Sequence, residues 1–269
     1  MTELARSSVS TAPMRITRRA KRGPGMTSNT TIVVGASRGL GRGIATALAG
    51  SGRSVVAVAR SADALSSLAS EVAGIKPEVA DAGTEGTARL LLDTYEPDAV
   101  VIVAGATPEL RPVHEHSWAT FAANWDTDVR VTFHWVSEAL RKPLRPGSRV
   151  IVVSSGAALQ GSPLSGGYAG AKGTQRFIAR YAQDEATRNG LGITFTTLLP
   201  KLTPSTELGR PAVAAYAARR GLSEQEYREQ LGEPLTPQIA GAALVELLDT
   251  DPDAAEYLLT GAGLRPLPA

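Results

Sequence analysis

Short apolar runs alternate with longer segments of helical periodicity from residue 31 almost to the C-terminus. Most of the runs are rich in Val and Ile and apolar on both faces, which is typical of strands that helices cover on both sides. The predicted strands are 31–35, 54–59, 77–80, 99–104, 149–154, 192–199 and 256–259. The helices predicted between them are 40–50, 62–72, 85–95, 117–140, 168–187 and 237–248.

This repeated order of strand, helix and strand predicts an α/β protein. We expect a Rossmann-like, doubly wound parallel sheet of about seven strands between two helical layers, a three-layer sandwich. The chain has 269 residues, close to the upper limit for one hydrophobic core, so residues 26–269 are predicted to form a single domain. In such sheets ligands bind at the carboxyl ends of the strands, where the strand order reverses.

Composition excludes several classes of site. The chain has no Cys, which rules out a disulfide framework, a thiolate metal site and a cysteine nucleophile. Its three histidines, His114, His116 and His134, have no carboxylate and serine at triad spacing, and no metal site is predicted. No apolar stretch approaches the roughly 18 to 20 residues of a membrane span, so we expect a soluble, cytoplasmic protein with no membrane partner.

The basic character of the chain belongs to its N-terminal tail. Residues 1–25 carry six Lys and Arg and one Glu, a net charge of +5, whereas the whole chain carries +2. The body is therefore net negative, and no nucleic-acid partner is predicted for it. The tail has no apolar periodicity, and we expect it to be disordered. Its Arg and Ser content also resembles an organelle transit peptide, and Met26 is an alternative start.

The first predicted strand leads into a glycine-rich turn and then into a helix. The turn reads Gly35-Ala36-Ser37-Arg38-Gly39-Leu40-Gly41. Glycines without Cβ atoms let backbone amides approach a phosphate, and the helix N-terminus adds about half a positive charge. A glycine turn alone is often just a tight connection, but in this context it predicts a dinucleotide site.

The end of the second predicted strand bears on the choice of cofactor. It reads Ala59-Arg60-Ser61, where NAD-preferring folds place an acidic residue. Arg60, with Ser37 and Arg38, can surround a 2′-phosphate, because guanidinium groups bind phosphate oxygens bidentately. We therefore predict NADP(H) in preference to NAD(H); the alternative is that both arginines are solvated loop residues.

A Ser, a Tyr and a Lys follow the fifth predicted strand. Tyr168 and Lys172 lie four residues apart in a predicted helix and so share a face, and Ser155 precedes Tyr168 by thirteen residues. A nearby ammonium group favours the ionised form of a phenol, which suits general acid–base catalysis. Alone, Tyr-x-x-x-Lys usually decorates a helix surface, but after a glycine turn and this serine it predicts a catalytic site.

With these motifs, residues 26–269 resemble the short-chain dehydrogenase/reductase family in its single-domain form. The resemblance rests on Gly35-x-x-x-Gly39-x-Gly41, Asp81, Ala104-Gly105, Ser155 and Tyr168-x-x-x-Lys172. It implies that Tyr168 exchanges a proton with the substrate oxygen, that Ser155 hydrogen-bonds that oxygen and that Lys172 binds the nicotinamide ribose. It also implies that Asp81 contacts the adenine and that Gly105 lies against its ribose.

The predicted cofactor-binding residues are taken from the turn, from the strand ends and from the Tyr-Lys pair. They are Gly35, Ser37, Arg38, Gly39, Leu40, Gly41, Arg60, Ser61, Asp81, Ala104, Gly105, Tyr168, Lys172 and Pro200.

The chain departs from the family pattern near the predicted site. Val103 and Val34 stand where the family usually has hydrogen-bonding residues, and we hypothesise that the two valines face each other as a joint replacement. The family's fourth catalytic residue, an Asn, aligns with Asp128, although Asn124 lies one turn earlier. In the family the backbone carbonyl of that Asn supports a water that leads to the lysine, a role open to Asp128. Its carboxylate would also tend to hold Lys172 protonated.

Together these features predict an NADP(H)-dependent oxidoreductase that interconverts a ketone or aldehyde and an alcohol. The predicted catalytic residues are Ser155, Tyr168, Lys172 and Asp128. The alternative is a non-catalytic NADP(H)-binding sensor or partner subunit, and an epimerase of the extended family fits less well because its glycine spacing differs.

The partner of this site is predicted to be a small carbonyl or alcohol substrate, which the sequence does not identify. Residues 202–234 are expected to cover the site as two helices, with a capping box at Ser223 and Glu226. Tyr216 or Tyr227 would line its pocket or serve as ordinary packing. The resemblance also implies a homodimer or homotetramer, for which the segments 121–140 and 177–186 are the candidate interfaces.

Overall fold

The computed structural model describes residues 29–268, so the predictions for the tail lie outside the described residues. Eight strands form one sheet: β1 (Thr30–Val34), β2 (Ser54–Ala59), β3 (Ile75–Val79), β4 (Ala99–Ile102), β5 (Arg149–Val153), β6 (Thr194–Pro200), β7 (Glu256–Thr260) and β8 (Gly263–Pro266). Their order is β3-β2-β1-β4-β5-β6-β7-β8, and every pair except β7 with β8 is parallel. The α/β fold with a doubly wound sheet is confirmed.

The helices of the described residues alternate with these strands. They are α1 (Gly39–Gly50), α2 (Ala62–Glu71), α3 (Thr87–Tyr95), α4 (Trp118–Asn124), α5 (Arg130–Arg141), α6 (Ala157–Gln160), α7 (Tyr168–Arg188), α8 (Gly209–Arg220), α9 (Glu224–Leu231) and α10 (Pro237–Asp249), with a short 3₁₀ turn at Val113–Glu115. Within the part of the chain that the structure describes, none of them combines the length and the apolarity needed to cross a bilayer.

Two apolar cores lie on opposite faces of the sheet, because successive strand residues point to opposite sides. Val33 and Ile151 pack against α1, α2 and α10, whereas Ile32 and Val150 pack against α3, α5 and α7. The interior strands are therefore buried on both faces, as their unbroken apolar runs predict. The exception is β3, an edge strand that contains Pro77 and is mostly exposed.

The strand order reverses at β1, which pairs with β2 on one side and with β4 on the other. The connections that leave these carboxyl ends go to opposite sides of the sheet, and the divergence opens a cleft above β1. Residues 202–234 lie over this cleft, and the two predicted helices of this segment, α8 and α9, are confirmed. The predicted capping box is present as well: Ser223 and Glu226 exchange hydrogen bonds at the start of α9.

The sequence-based count of about seven strands missed β8. This strand pairs antiparallel with β7 through the two-residue turn Gly261-Ala262, which is a common hairpin length. Its four residues end in Pro266 and are partly exposed, so they lack the apolar run that marks the other strands.

Two further predictions were wrong in detail. The single helix predicted over 117–140 is divided into α4 and α5 by a π-helical turn, Trp125–Val129. The hypothesis that Val34 faces Val103 is also wrong, because Val34 belongs to the core beneath α5 and Val103 packs against the opposite core. The alternation of side chains along a strand places them on opposite sides of the sheet.

The contact between α1 and α10 generates a stability prediction. A Cβ atom added at Gly241 of α10 would lie 2.6 Å from the Ala47 Cβ and 2.7 Å from the Gly43 oxygen of α1. We expect Gly241→Ala to lower the free energy of unfolding by about 1–3 kcal/mol, because the two helices must separate.

The matched control is Gly173→Ala in α7, where an added Cβ meets no atom within 4 Å. This change should stabilise the protein by up to about 1 kcal/mol through helix propensity. Urea unfolding of both variants measures the difference, and equal effects would contradict the close helix packing.

Candidate active site

The glycine turn after β1 is shaped by two close backbone approaches. Gly35 has φ +93°, and a Cβ there would lie 2.6 Å from the backbone nitrogen of Ala104; a Cβ at Gly41 would lie 2.0 Å from the Gly35 oxygen. At the N-terminus of α1 the N-cap residue, Arg38, makes no side-chain capping bond. The first backbone amides of α1 therefore have no side-chain cap, and the neighbouring glycines have no Cβ atoms to block access to them. Such exposed amides at a helix N-terminus fit the pyrophosphate of a dinucleotide.

A single cavity of about 1030 Å³ runs from this turn along the carboxyl ends of the strands. Nearly all the predicted site residues line it: Gly35, Ser37, Arg38, Gly39, Leu40, Gly41, Arg60, Asp81, Ala104, Gly105, Asp128, Ser155, Tyr168, Lys172 and Pro200. Ser61 is the one predicted cofactor residue that is not among the lining residues. Its hydroxyl instead accepts a hydrogen bond from the Ala64 amide as the N-cap of α2.

The two arginines expected at a 2′-phosphate differ in their surroundings. Arg60, at the end of β2, has an exposed side chain and forms no ion pair with a carboxylate of residues 29–268. Arg38 forms an exposed ion pair with Glu207, which lies in the segment over the cleft, at 2.7 Å. An ion pair of Arg38, one of the residues predicted to bind phosphate, therefore joins the glycine turn to residues 202–234.

Asp81 follows β3 and is held in a turn, since its Oδ1 accepts a hydrogen bond from the Gly83 amide at 2.9 Å. This turn places Asp81 on the cavity wall beside Ala82, on the same side of the cleft as Arg60. The adenine contact that the resemblance implies for Asp81 stays a prediction.

The Ser, Tyr and Lys of the predicted catalytic set converge on the cavity from two elements. Ser155 follows β5, and its Oγ accepts a hydrogen bond from the Ala157 amide at 3.2 Å. Tyr168 is the first residue of α7, and Lys172 lies one turn later with its Nζ 5.5 Å from the centre of the Tyr168 ring. All three line the same cavity, so a hydroxyl, a phenol and an ammonium group face one ligand-sized space.

Asp128 makes direct contact with the lysine. Its Oδ2 lies 3.0 Å from the Lys172 Nζ, and both side chains are almost fully buried. Its Oδ1 accepts hydrogen bonds from the Ala106 amide at 2.8 Å and from the Asn124 Nδ2 at 3.3 Å. Gly105 makes room for the carboxylate, because a Cβ there would lie 2.7 Å from Oδ2.

Asp128 reaches Lys172 through its carboxylate, whose negative charge near the lysine we expected, and not through the main-chain carbonyl that the family resemblance also suggested. The carbonyl oxygen accepts hydrogen bonds from Thr132 and Gln175 instead. Asn124 also belongs to the site, since its amide bridges Asp128 and the Ala106 oxygen.

Burial is the largest single influence on the pKa of Lys172 and acts to lower it. The Asp128 carboxylate and the Tyr168 phenol, which both favour the charged ammonium form, together outweigh burial. The pKa of Lys172 is therefore raised above the ordinary lysine value, and the side chain is charged at neutral pH.

Sequence reasoning missed part of the cavity wall. The Ser162 and Tyr216 hydroxyls lie 2.5 Å apart and join the loop after α6 to α8. Tyr216 stacks on Tyr227, so both tyrosines combine packing within residues 202–234 with a place on the cavity wall. No spacing rule links Ser162 to Tyr216, which are 54 residues apart, and only the tertiary structure brings them together.

Comparisons with known proteins show the family and agree with the fold. The model of the short chain dehydrogenase family matches residues 29–217. Human L-xylulose reductase is 31% identical over 113 residues, which cover 42% of this chain and 46% of that protein, so the match spans about half of its length. A crystal structure of a variant actinorhodin polyketide ketoreductase with NADPH has a similar fold, with a TM-score of 0.74 at 19% identity over 87% of this chain and 97% of that chain.

The buried ion pair generates a prediction about stability and pH. We expect Asp128→Asn to lower the free energy of unfolding by about 3–5 kcal/mol at neutral pH, because it leaves Lys172 buried without a counter-charge. The raised pKa of Lys172 stabilises the folded state below the ordinary lysine pKa of about 10.4, and this stabilisation is lost as the pH rises through the raised value. The difference in free energy of unfolding between the wild type and Asp128→Asn should therefore become smaller at alkaline pH.

The control is Asp93→Asn, which breaks an exposed ion pair with Lys142. We expect this change to lower the free energy of unfolding by less than about 1 kcal/mol. Urea titrations at neutral and alkaline pH compare the variants, and a difference for Asp128→Asn that does not depend on pH would count against a charged Lys172.

Proposed function

Because the chain belongs to the short-chain dehydrogenase family, we propose that it is an NADP(H)-dependent oxidoreductase that interconverts a ketone or aldehyde and an alcohol. The observation that carries the proposal is the convergence of Ser155, Tyr168 and Lys172 on one cavity whose other end is the glycine turn. A protein that only bound the nucleotide would have no need of a phenol beside a buried ammonium group.

The residues of the chain have separate tasks in this reaction. Tyr168 holds the proton that is given to the substrate oxygen in reduction and takes it back in oxidation. Ser155 donates a hydrogen bond to the same oxygen and so orients the carbonyl. Lys172, kept charged by Asp128, stabilises negative charge on the phenol and would bind the nicotinamide ribose. The bound nicotinamide supplies or accepts the hydride.

The nucleotide would lie across the reversal of strand order. The uncapped N-terminus of α1 and the bare backbone at Gly35 and Gly41 would hold the pyrophosphate. Asp81 would meet the adenine. The exposed guanidinium of Arg60 supports a 2′-phosphate and hence NADP(H), since no acidic residue stands at the end of β2.

A homo-oligomer, either a dimer or a tetramer, forms part of the proposal. Large apolar side chains are exposed on α4, α5 and α7: Trp118, Phe133, Phe177 and Tyr181 are half or more accessible. Trp118 stacks on Phe121, and Phe177 stacks on Tyr181. Aromatic residues on neighbouring helices are typical of protein interfaces, and a second copy of the chain would cover them.

The proton-transfer role is tested by Tyr168→Phe. We expect single-turnover oxidation of NADPH by a panel of ketones and aldehydes to slow by at least about 100-fold, because general acid catalysis is lost, while nucleotide binding persists. Tyr95→Phe, in α3 and outside the cavity lining, is the control and should react at the wild-type rate. Equal rates in wild type and Tyr168→Phe would refute the role, and no turnover in either would favour a protein that only binds the nucleotide.

Cofactor preference is tested by Arg60→Ala. Loss of a charge-assisted contact of about 1.5–3 kcal/mol would weaken NADPH binding by roughly 10–100-fold and leave NADH binding unchanged. Arg188→Ala, at the end of α7 and outside the cavity lining, should change neither. Calorimetric titration with both nucleotides provides the measurement, and a parallel loss for NADPH and NADH would exclude a contact specific to the 2′-phosphate.

A further inference from the structure

A buried glutamine links α7, the helix that carries Lys172, to the π-helical turn that carries Asp128. Gln175 lies on α7 three residues after Lys172, and its side chain is completely buried. Its Nε2 donates hydrogen bonds to the Asp128 main-chain oxygen at 3.1 Å and to the Thr132 Oγ1 at 2.6 Å. The Thr132 hydroxyl donates to the same Asp128 oxygen at 2.9 Å. The three residues form a small closed network between α7 and the π-helical turn.

This network fixes which end of the glutamine amide points toward the turn. The Asp128 carbonyl can only accept, and the Thr132 hydroxyl gives its hydrogen to that carbonyl, so the Gln175 amide must present its donor to both. The Gln175 Oε1 is buried and finds no donor among the described residues. Burial of that unpaired acceptor is unfavourable, and the two hydrogen bonds that the Gln175 amide donates offset it.

The two amide groups that bind the Asp128 carboxylate both act at one of its oxygens. The Ala106 amide and Asn124 bind Oδ1, while Oδ2 faces Lys172. The main chain of Asp128 belongs to the π-helical turn, and its carbonyl oxygen accepts hydrogen bonds from the Thr132 and Gln175 side chains. Gln175 donates its hydrogen bond from the same face of α7 that carries Lys172.

We propose that Gln175 is a positioning residue, which holds the main chain of Asp128 so that the carboxylate meets Lys172. The structural part of this proposal concerns the folded chain alone. Its kinetic consequence rests on the proposed function, because a displaced carboxylate would change turnover only if Lys172 serves the reaction.

The test compares two glutamines of the same helix. Gln175→Leu removes the amide from the network, and Gln175→Met does so with a side chain closer in shape. Gln183→Leu is the matched control, because Gln183 also makes two hydrogen bonds, to the Phe195 amide and to Thr187, but lies away from Lys172. Because two apolar replacements are compared at Gln175, the proposal can still be tested if one of the two variants folds poorly.

The readout is the titration of Lys172 in the full chain labelled with ¹³C-lysine, without nucleotide. The sequence has five lysines, and the spectrum of Lys172→Met assigns the resonance. Asp128 and Tyr168 are the charged or titratable groups that face Lys172 among residues 29–268. Burial lowers the pKa of Lys172, and the Asp128 carboxylate raises it. When the carboxylate is displaced or neutralised, the midpoint of the Lys172 titration should therefore move to lower pH, in Gln175→Leu as in Asp128→Asn.

Kinetics separate this proposal from the proposed function. If the chain turns over carbonyl substrates, Gln175→Leu should lower kcat by up to about 100-fold, because the Asp128 carboxylate beside Lys172 is misplaced. KM for NADPH should stay unchanged. The alkaline limb of the kcat–pH profile should shift to lower pH. A shifted titration without turnover in any variant would keep the positioning role and refute the enzyme. A folded Gln175→Leu or Gln175→Met with the wild-type midpoint, or an equal shift in Gln183→Leu, would overturn the positioning role.

Discussion

The buried ion pair between Lys172 and Asp128 is the interaction on which the site depends. Removing two charges from water is unfavourable, and the pair persists because the carboxylate is also held by a backbone amide and a side-chain amide. Several local features serve this contact: the π-helical turn presents Asp128, Gly105 leaves space for its carboxylate, and Gln175 holds its main chain. The result is a lysine that is charged at neutral pH beside a phenol.

The fold brings this charge to the nucleotide cleft. The strand order reverses between β1 and β4, and the connections after these strands go to opposite sides of the sheet. The cavity at this reversal is lined by the glycine turn and by the first turn of α7. Residues 202–234 cover the cleft between them and contact both sides. Glu207 pairs with Arg38 of the glycine turn, and Tyr216 meets Ser162 beside the catalytic end.

The sequence predicted those features that depend on local patterns. The apolar runs specify buried parallel strands, the spacing of the glycines specifies the turn, and the four-residue interval between Tyr168 and Lys172 places both on one helix face. What it missed depends on tertiary contacts. The short β8 has no apolar run of its own, and only its pairing with β7 makes it a strand.

The environment of Asp128 shows the same limit. Its alignment with the family's asparagine stays a prediction, and its direct contact with the lysine depends on a π-helical turn, which has no sequence signature as clear as a glycine turn. Gln175 has no signature in the sequence for a related reason, because most polar residues on helices are exposed. Only the packing of α7 against the turn shows it to be buried.

A crystal structure of the chain with bound NADPH tests the central claim most directly. The account predicts the pyrophosphate at the N-terminus of α1, the nicotinamide ribose within hydrogen-bond distance of the Lys172 ammonium group, and the Tyr168 hydroxyl beside the reactive edge of the nicotinamide. The ion pair with Asp128 should be intact. A nucleotide bound elsewhere, or a Tyr168 hydroxyl turned away from the nicotinamide, would contradict it.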